Sequence, residues 1–285
     1  MTTQTLLSFG HGYSAKALAA RLLPEGWNII GTTRSADKAR VIADTGVEPL
    51  IWPGTDISTA LAQANAILVS AGPNSDGDPV LTQLKAEITA LAPRVEWVGY
   101  LSTTGVYGDH QGAWVDEDTP LAPSTKRGHA RVAAEADWQS IAGLPLHIFR
   151  LAGIYGPERG PFAKVRAGTA RRIIKPNQVF SRIHVEDIGQ ILHASLQRPN
   201  PGAVYNLCDD APAPPEDVIG YAAELLGLPQ PPAEDFATAD MTPMARSFYA
   251  ESKKVKNDRI KTELGVHLKY PDYRTGLQAM LNTDP

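Results

Sequence analysis

Leu6-Leu7-Ser8-Phe9-Gly10-His11-Gly12-Tyr13-Ser14-Ala15 decides the fold of this 285-residue chain. It reads as an apolar strand, a glycine turn and a helix that opens on small residues. In a dinucleotide-binding β-α unit the first glycine makes the tight turn and the second lets backbone approach a pyrophosphate. The third position must be small so that helix and strand can pack closely. Gly10, Gly12 and Ala15 occupy those places, and the helix N-terminus beyond them favours an anion. Two other readings compete. One is a glycine turn that binds nothing. The other is a hydrolase elbow at Gly12-Tyr13-Ser14-Ala15-Lys16 with Ser14 as nucleophile, which Lys16 breaks by crowding the sharp turn.

Outward from this loop, short apolar runs alternate with helical patterns, the signature of a parallel sheet covered on both faces. Strands are predicted over 5–9, 28–32, 48–52, 66–70, 95–101 and 146–151. Helices are predicted over 14–23, 35–44, 78–92 and 124–141, so that six strands complete a doubly wound sheet by residue 151. The predicted fold class is α/β, a Rossmann-type sheet with a smaller C-terminal mixed α/β substrate lobe. Residues 1–150 form the dinucleotide domain, 151–285 form the lobe, and 184–207 return to the first domain. In the lobe, helices are expected over 183–196, 216–226, 256–264 and 272–281, with a strand over 203–207.

Composition narrows the function classes. A net charge of −4 gives no electrostatic reason to expect nucleic acid or an anionic membrane. The single cysteine, Cys208, rules out an intrachain disulfide framework, and with no signal-like or membrane-spanning stretch the expected location is the cytoplasm. The seven histidines are scattered, so no metal site is expected. After the second strand comes Thr33-Arg34-Ser35, with no carboxylate before Asp37. A guanidinium there suits a 2′-phosphate, which favours NADP(H) over NAD. The expected cofactor shell is Gly10, His11, Gly12, Tyr13, Ser14, Ala15, Thr33, Arg34, Ser35, Ser70, Ala71, Gly72 and Arg131.

Five later segments carry a family resemblance. They are Ser102-Thr103-Thr104-Gly105-Val106-Tyr107-Gly108, Arg150-Leu151-Ala152-Gly153-Ile154-Tyr155-Gly156-Pro157, Arg182-Ile183-His184-Val185-Glu186-Asp187, Gly202-Ala203-Val204-Tyr205-Asn206-Leu207 and Glu263-Leu264-Gly265. In this order they resemble the extended short-chain dehydrogenase/reductase superfamily of nucleotide-sugar epimerases and dehydratases, and its atypical, YeeZ-like branch. The resemblance implies hydride transfer at nicotinamide C4, with a Tyr acid/base, a Lys that lowers its pKa and a Ser or Thr on the substrate oxygen. Thr103 matches the last role. The Tyr-x-x-x-Lys helix corresponds to Arg127-Gly128-His129-Ala130-Arg131, so both partners are arginines, and Glu135 follows where the family often has Glu. Arginine stays protonated, so Arg127 is expected to stabilise an alkoxide or clamp an anion, and Arg131 to hold the ribose. Tyr107, Tyr155, Lys126 and His184 are the alternative proton carriers, Tyr107 first among them. Tyr155, Arg166, Arg172 and His184 are expected to line the substrate site, and with Arg171 they suggest an anionic small molecule. A homodimer through the helices at 78–92 and 124–141 is the family's habit. A non-catalytic NADP(H) sensor is the other function class the double arginine suggests.

Overall fold

A computed structural model describes residues 3–281. The first half runs β1 (Thr5–Phe9), α1 (Tyr13–Leu22), β2 (Asn28–Thr33), α2 (Ala36–Ala43), β3 (Glu48–Ile51), α3 (Ser58–Gln63), β4 (Ala66–Val69), α4 (Leu81–Leu91), β5 (Trp97–Thr103), β6 (Trp114–Val115), α5 (Lys126–Gln139) and β7 (Leu146–Leu151). The second half runs β8 (Gly153–Tyr155), α6 (Phe162–Arg166), β9 (Arg172–Ile174), β10 (Arg182–His184), α7 (Val185–Gln197), β11 (Val204–Leu207), α8 (Pro215–Leu225), β12 (Ala233–Asp235), α9 (Pro243–Phe248), β13 (Lys254–Val255), α10 (Asp258–Leu264) and α11 (Tyr273–Leu281).

Seven strands form one parallel sheet in the order β11-β7-β5-β4-β1-β2-β3. The sheet is therefore not complete at residue 151. Its outermost strand, β11, comes from the second half and pairs with β7 from Val204↔Ile148 to Leu207↔Leu151. The two-residue period of a strand sends alternate side chains to opposite faces. In β5, Val98 and Tyr100 join a core with Leu61, Ile88 and Trp138 from α3, α4 and α5. Trp97 and Leu101 join the opposite core with Leu18, Ile42, Ile191 and Ile260 from α1, α2, α7 and α10. Both faces are thus covered, as a parallel sheet requires.

The chain moves from β1 to β2 on one side and to β4 on the other, so the crevice between β1 and β4 is a topological switch point. Helix α1, which starts at that crevice, packs closely on α7. A methyl group at Gly189 of α7 would lie 2.6 Å from the Ala17 carbonyl oxygen of α1. Two backbones this close leave no room for even one extra carbon. Gly189→Ala is expected to cost about 1–3 kcal/mol, read as a lower urea midpoint at an unchanged m-value. An unchanged midpoint would mean that the two helices separate freely.

Outside the large sheet stand three small parallel pairs, β8 with β10, β9 with β12 and β6 with β13, the last reaching back to residues of the first half. The lobe's own core gathers Phe162, Val218, Ala222, Tyr273 and Leu277. No helix among the described residues is long and apolar enough to cross a membrane.

Candidate functional site

The glycine loop leaves β1 at Gly10, whose φ of +74° is the left-handed conformation that favours glycine. The Gly10 amide donates to Thr32 Oγ1 at 2.8 Å and the His11 amide to Thr32 O at 2.9 Å, which ties the loop to β2. On the other side the Ser70 and Ala71 amides donate to Phe9 O at 2.9 and 3.2 Å, and the Ser70 hydroxyl donates to Gly10 O. Gly12 then caps α1 without a side-chain bond, and no acidic residue stands in the first turn. The first-turn amides of Ser14 and Ala15 have no intrahelical acceptor, which is the electrostatic setting an anion seeks. A methyl at Gly12 would meet only Gly10 O, at 3.7 Å, so the space over the loop is open. These residues fit a dinucleotide's diphosphate.

His11 turns its side chain away from that space. Its ring packs over Gly31 and its Nδ1 lies 3.2 Å from Ser8 Oγ. Burial, with Lys16 nearby, pushes its pKa down to about 4, so the ring is neutral and what it brings to the loop is backbone. Ser14 is buried within α1 rather than presented on an exposed turn, which leaves no geometry for a nucleophile elbow. Tyr13 reaches across to the lobe: its hydroxyl donates to Pro157 O at 2.8 Å and Arg159 lies over its ring. At the tip of β2, Thr33 is half-buried and Arg34 is exposed, while Ser35 caps α2 by accepting from the Lys38 amide. The first carboxylate beyond, Asp37, stands on the outside of α2 against Arg40.

Arg131 enters the crevice from α5. Its Nη1 donates to Leu101 O at 2.6 Å and to Tyr100 Oη at 3.1 Å, and its Nη2 stands against Gly72. A fixed cation is therefore held between the ends of β4 and β5. Beside it Asp78 is buried, accepting from the Val80 and Leu81 amides, and burial raises its pKa. Thr103 ends β5 and its Oγ1 accepts from the Gly105 amide at 3.1 Å, which leaves the hydroxyl proton to donate outward. Arg127 and Lys126 are exposed on the first turn of α5, whose Gly128 sits close to Gly105.

Tyr107 is a correction to the expectation of a proton carrier. Its side chain is fully buried, and its hydroxyl donates to Asn206 Oδ1 at 2.7 Å and accepts from Arg150 Nη1 at 3.0 Å. Burial pushes its pKa up to about 12. A phenol bonded inward at both lone pair and proton has no path to a substrate. The same network runs on through Arg150 to Glu135, with Nη2 2.8 Å from Oε2, and from Glu135 to the Ser102 hydroxyl. Motif matching located Arg150 and Glu135 but not their pairing, because that contact joins β7 to α5 in space.

The expected substrate residues fall in different surroundings. Tyr155 is buried, its hydroxyl 3.3 Å from Asp272 O beneath α11, and burial raises its pKa. His184 is buried between Tyr155 and Tyr270, and its Nδ1 accepts from the Glu186 amide as the cap of α7. Burial lowers its pKa to about 4, so it is a neutral helix cap. Arg172 Nε donates to Pro231 O, Arg171 pairs with Glu234, and Arg166 is exposed over the Phe162 ring. Arg182, which the sequence reading gave no role, is half-buried and donates through Nη1 to Phe180 O and Ala213 O. Among the described residues no group of His, Cys, Asp and Glu forms a metal-holding cluster.

A seven-stranded parallel sheet with a glycine loop at its switch point defines a dinucleotide-fold protein of the α/β class. The profile of the NAD dependent epimerase/dehydratase family matches residues 9–208, and the chain belongs to that family. It is 31% identical over 277 residues to Protein YeeZ of Escherichia coli K12, covering 92% of this chain and 95% of that one. A solved conserved protein from Silicibacter pomeroyi is 63% identical, with a TM-score of 0.96 over 99% of both chains. The fold is also that of dTDP-glucose 4,6-dehydratase from Bacillus anthracis, solved in complex with NAD. That likeness has a TM-score of 0.78 at 19% identity, over 99% of this chain and 96% of that one.

Proposed function

We propose that this chain binds NADP(H) in the β1–β4 crevice and exchanges a hydride with an anionic, nucleotide-sugar-like substrate, using Arg127 and Arg131 in the places of tyrosine and lysine. The observation that carries this reading is Arg131, a guanidinium held by Leu101 O and Tyr100 Oη against Gly72 at the crevice wall. Bound there, a nicotinamide supplies the hydride at its C4. The chain supplies the positioning. Thr103 donates a hydrogen bond to the reacting oxygen, solvent water supplies or takes up the proton that accompanies the hydride, and Arg131 holds the cofactor's ribose. Arg127, exposed on the first turn of α5, stabilises negative charge as it develops on that oxygen. A guanidinium keeps its proton in this pH range, so Arg127 stabilises charge without moving a proton.

NADPH oxidation followed across a panel of sugar nucleotides and anionic carbonyl compounds tests the reading. At least one substrate is expected to turn over, and Arg127→Met is expected to slow it about 100-fold, the size of one lost oxyanion donor. Binding of NADPH with no turnover, and no exchange of label from its C4, would overturn the enzyme reading. Arg34 supports the choice of NADP(H), because it is exposed at the β2 tip with no carboxylate beside it. Arg34→Ala is expected to weaken NADP+ about 10-fold or more and to leave NAD+ within about twofold, as loss of a charge-assisted bond to phosphate requires. Equal losses for both nucleotides would remove Arg34 from phosphate recognition.

The inward-turned Tyr107 favours a second reading, a non-catalytic NADP(H) sensor. It requires different affinities for NADP+ and NADPH, since a ligand shifts a conformational equilibrium only through differential binding. Equal affinities by calorimetry would end it.

A further inference from the structure

Two strand pairings link Arg182 to Thr103. Thr103 of β5 pairs with Leu151 of β7, and two residues further Gly153 of β8 pairs with Arg182 of β10. Gly153 is exposed, and the Arg182 stem is the nearest side chain to the place its own would occupy. The Arg182 head is held on one side only. Nη1 donates to Phe180 O at 2.8 Å and to Ala213 O at 3.0 Å, and the guanidinium lies 6.0 Å from the Phe180 ring. Its Nε and Nη2 make no hydrogen bond among the described residues, and no carboxylate oxygen there lies within 4.0 Å of it.

Three N–H donors of the half-buried guanidinium are thus left without an acceptor among the described residues. These donors are not sealed inside the protein, so a ligand from solvent can reach them. The nearest carboxyl, Asp209, has a buried Oδ2 with no partner and does not reach the guanidinium. Burial pushes the Asp209 pKa up to about 8, so at neutral pH it carries a proton and acts as a further donor rather than a counter-ion. Tyr155, Tyr249 and Tyr273 lie around the same guanidinium.

We propose that Arg182 is the anchor for the substrate's anionic group, a carboxylate or a phosphate, gripped by Nε and Nη2 beside Asp209. This rests on the hydride-transfer reading and adds to it the place where the substrate's charge is read. Arg166 and Arg172 are then bystanders, since one is exposed and the other already bonded to Pro231 O.

Thermal unfolding of NADP+-saturated protein in phosphate, malonate or chloride at one ionic strength tests it. Phosphate or malonate at about ten times its Kd is expected to raise the midpoint by about 3 °C over chloride. The larger of the two shifts identifies the source of the anion. Arg182→Met is expected to erase the shift, and Arg182→Lys to keep less than half of it, because a single ammonium cannot reproduce the fork. No shift in the wild type, or a full shift in Arg182→Met, overturns the proposal. Should Arg182→Met fail to fold, wild-type crystals soaked in tungstate are decisive. An anomalous peak within bonding distance of Nε or Nη2 supports the site, and peaks only at Arg34 or Arg127 overturn it. NADP+ titration of the same samples separates the two claims. Intact nucleotide binding with a flat anion response sinks the anchor alone, whereas absent nucleotide binding sinks the hydride-transfer reading.

Discussion

Gly12→Val is expected to raise the Kd for NADP+ and NADPH at least 100-fold while moving the unfolding midpoint by no more than about 3 °C. The free protein tolerates the change for a local reason. Gly12 has φ −109° and ψ −156°, an extended conformation open to any residue, and a Cβ there meets only Gly10 O at 3.7 Å. Replacing a glycine cap costs the helix about 1 kcal/mol at most. The isopropyl group, however, stands where a diphosphate must come down on the first-turn amides of α1. Gly10 offers the contrast. It has φ +74°, and its Cβ would lie 3.0 Å from the Ala71 amide, so Gly10→Val is expected to damage the fold itself. Isothermal titration of each nucleotide into Gly12→Val, with a urea titration of both variants, separates the effects. Undiminished binding by Gly12→Val would remove the diphosphate from this loop, and the cofactor assignment with it.

The second large effect is on stability. Glu135→Ala is expected to cost about 3–5 kcal/mol, the usual result of removing one member of a buried ion pair. Glu135 and Arg150 side chains are 2% and 6% exposed, so water cannot solvate the partner left behind. Arg150 would keep only the Tyr107 hydroxyl and a long contact to Glu117 O, and Ser102 would lose its acceptor. Urea unfolding gives the cost. Glu135→Leu combined with Arg150→Met should recover much of it, since two apolar side chains leave no orphaned charge. Glu135 stands one helical turn after Arg131 on α5, and Ser102 immediately precedes Thr103, so the pair also braces the crevice wall. Weaker NADP+ binding by Glu135→Ala under folding conditions is the expected second symptom. A loss below about 1 kcal/mol would mean that water enters the pair and the wall does not depend on it.

The sheet was legible because its strands are apolar and its turns are glycine-marked, so β1, β2, β4 and β7 fall where periodicity put them. Helix α3 escaped because six residues from Ser58 to Gln63, two of them buried, are too short for a 3.6-residue period to register. Strand β5 starts two residues later than expected, at Trp97, and runs on to Thr103, so the residue assigned to the substrate oxygen lies on the strand's last step. Motif spacing located Arg131 and Thr103, because a fingerprint fixes position along one element. Arg182 and the Glu135–Arg150 pair were beyond its reach. What distinguishes them is which atoms lack or have partners, and those partners come from segments far away in the chain. Tyr107 failed for the converse reason, since its place at a strand end says nothing about which way its hydroxyl points.

The position of β11 and α7 bears on how the polypeptide is made. Residues 185–207 pair with the outer edge of β7 and pack on α1, in the core that also holds Leu18 and Leu22. A nascent chain released from the ribosome as far as residue 151 therefore carries every strand of the crevice, yet has an unpaired β7 edge and an α1 face that lacks its α7 partner. Such a chain is expected to need shielding until about fifty more residues emerge, and a gene truncated between the two halves is expected to yield an aggregation-prone fragment.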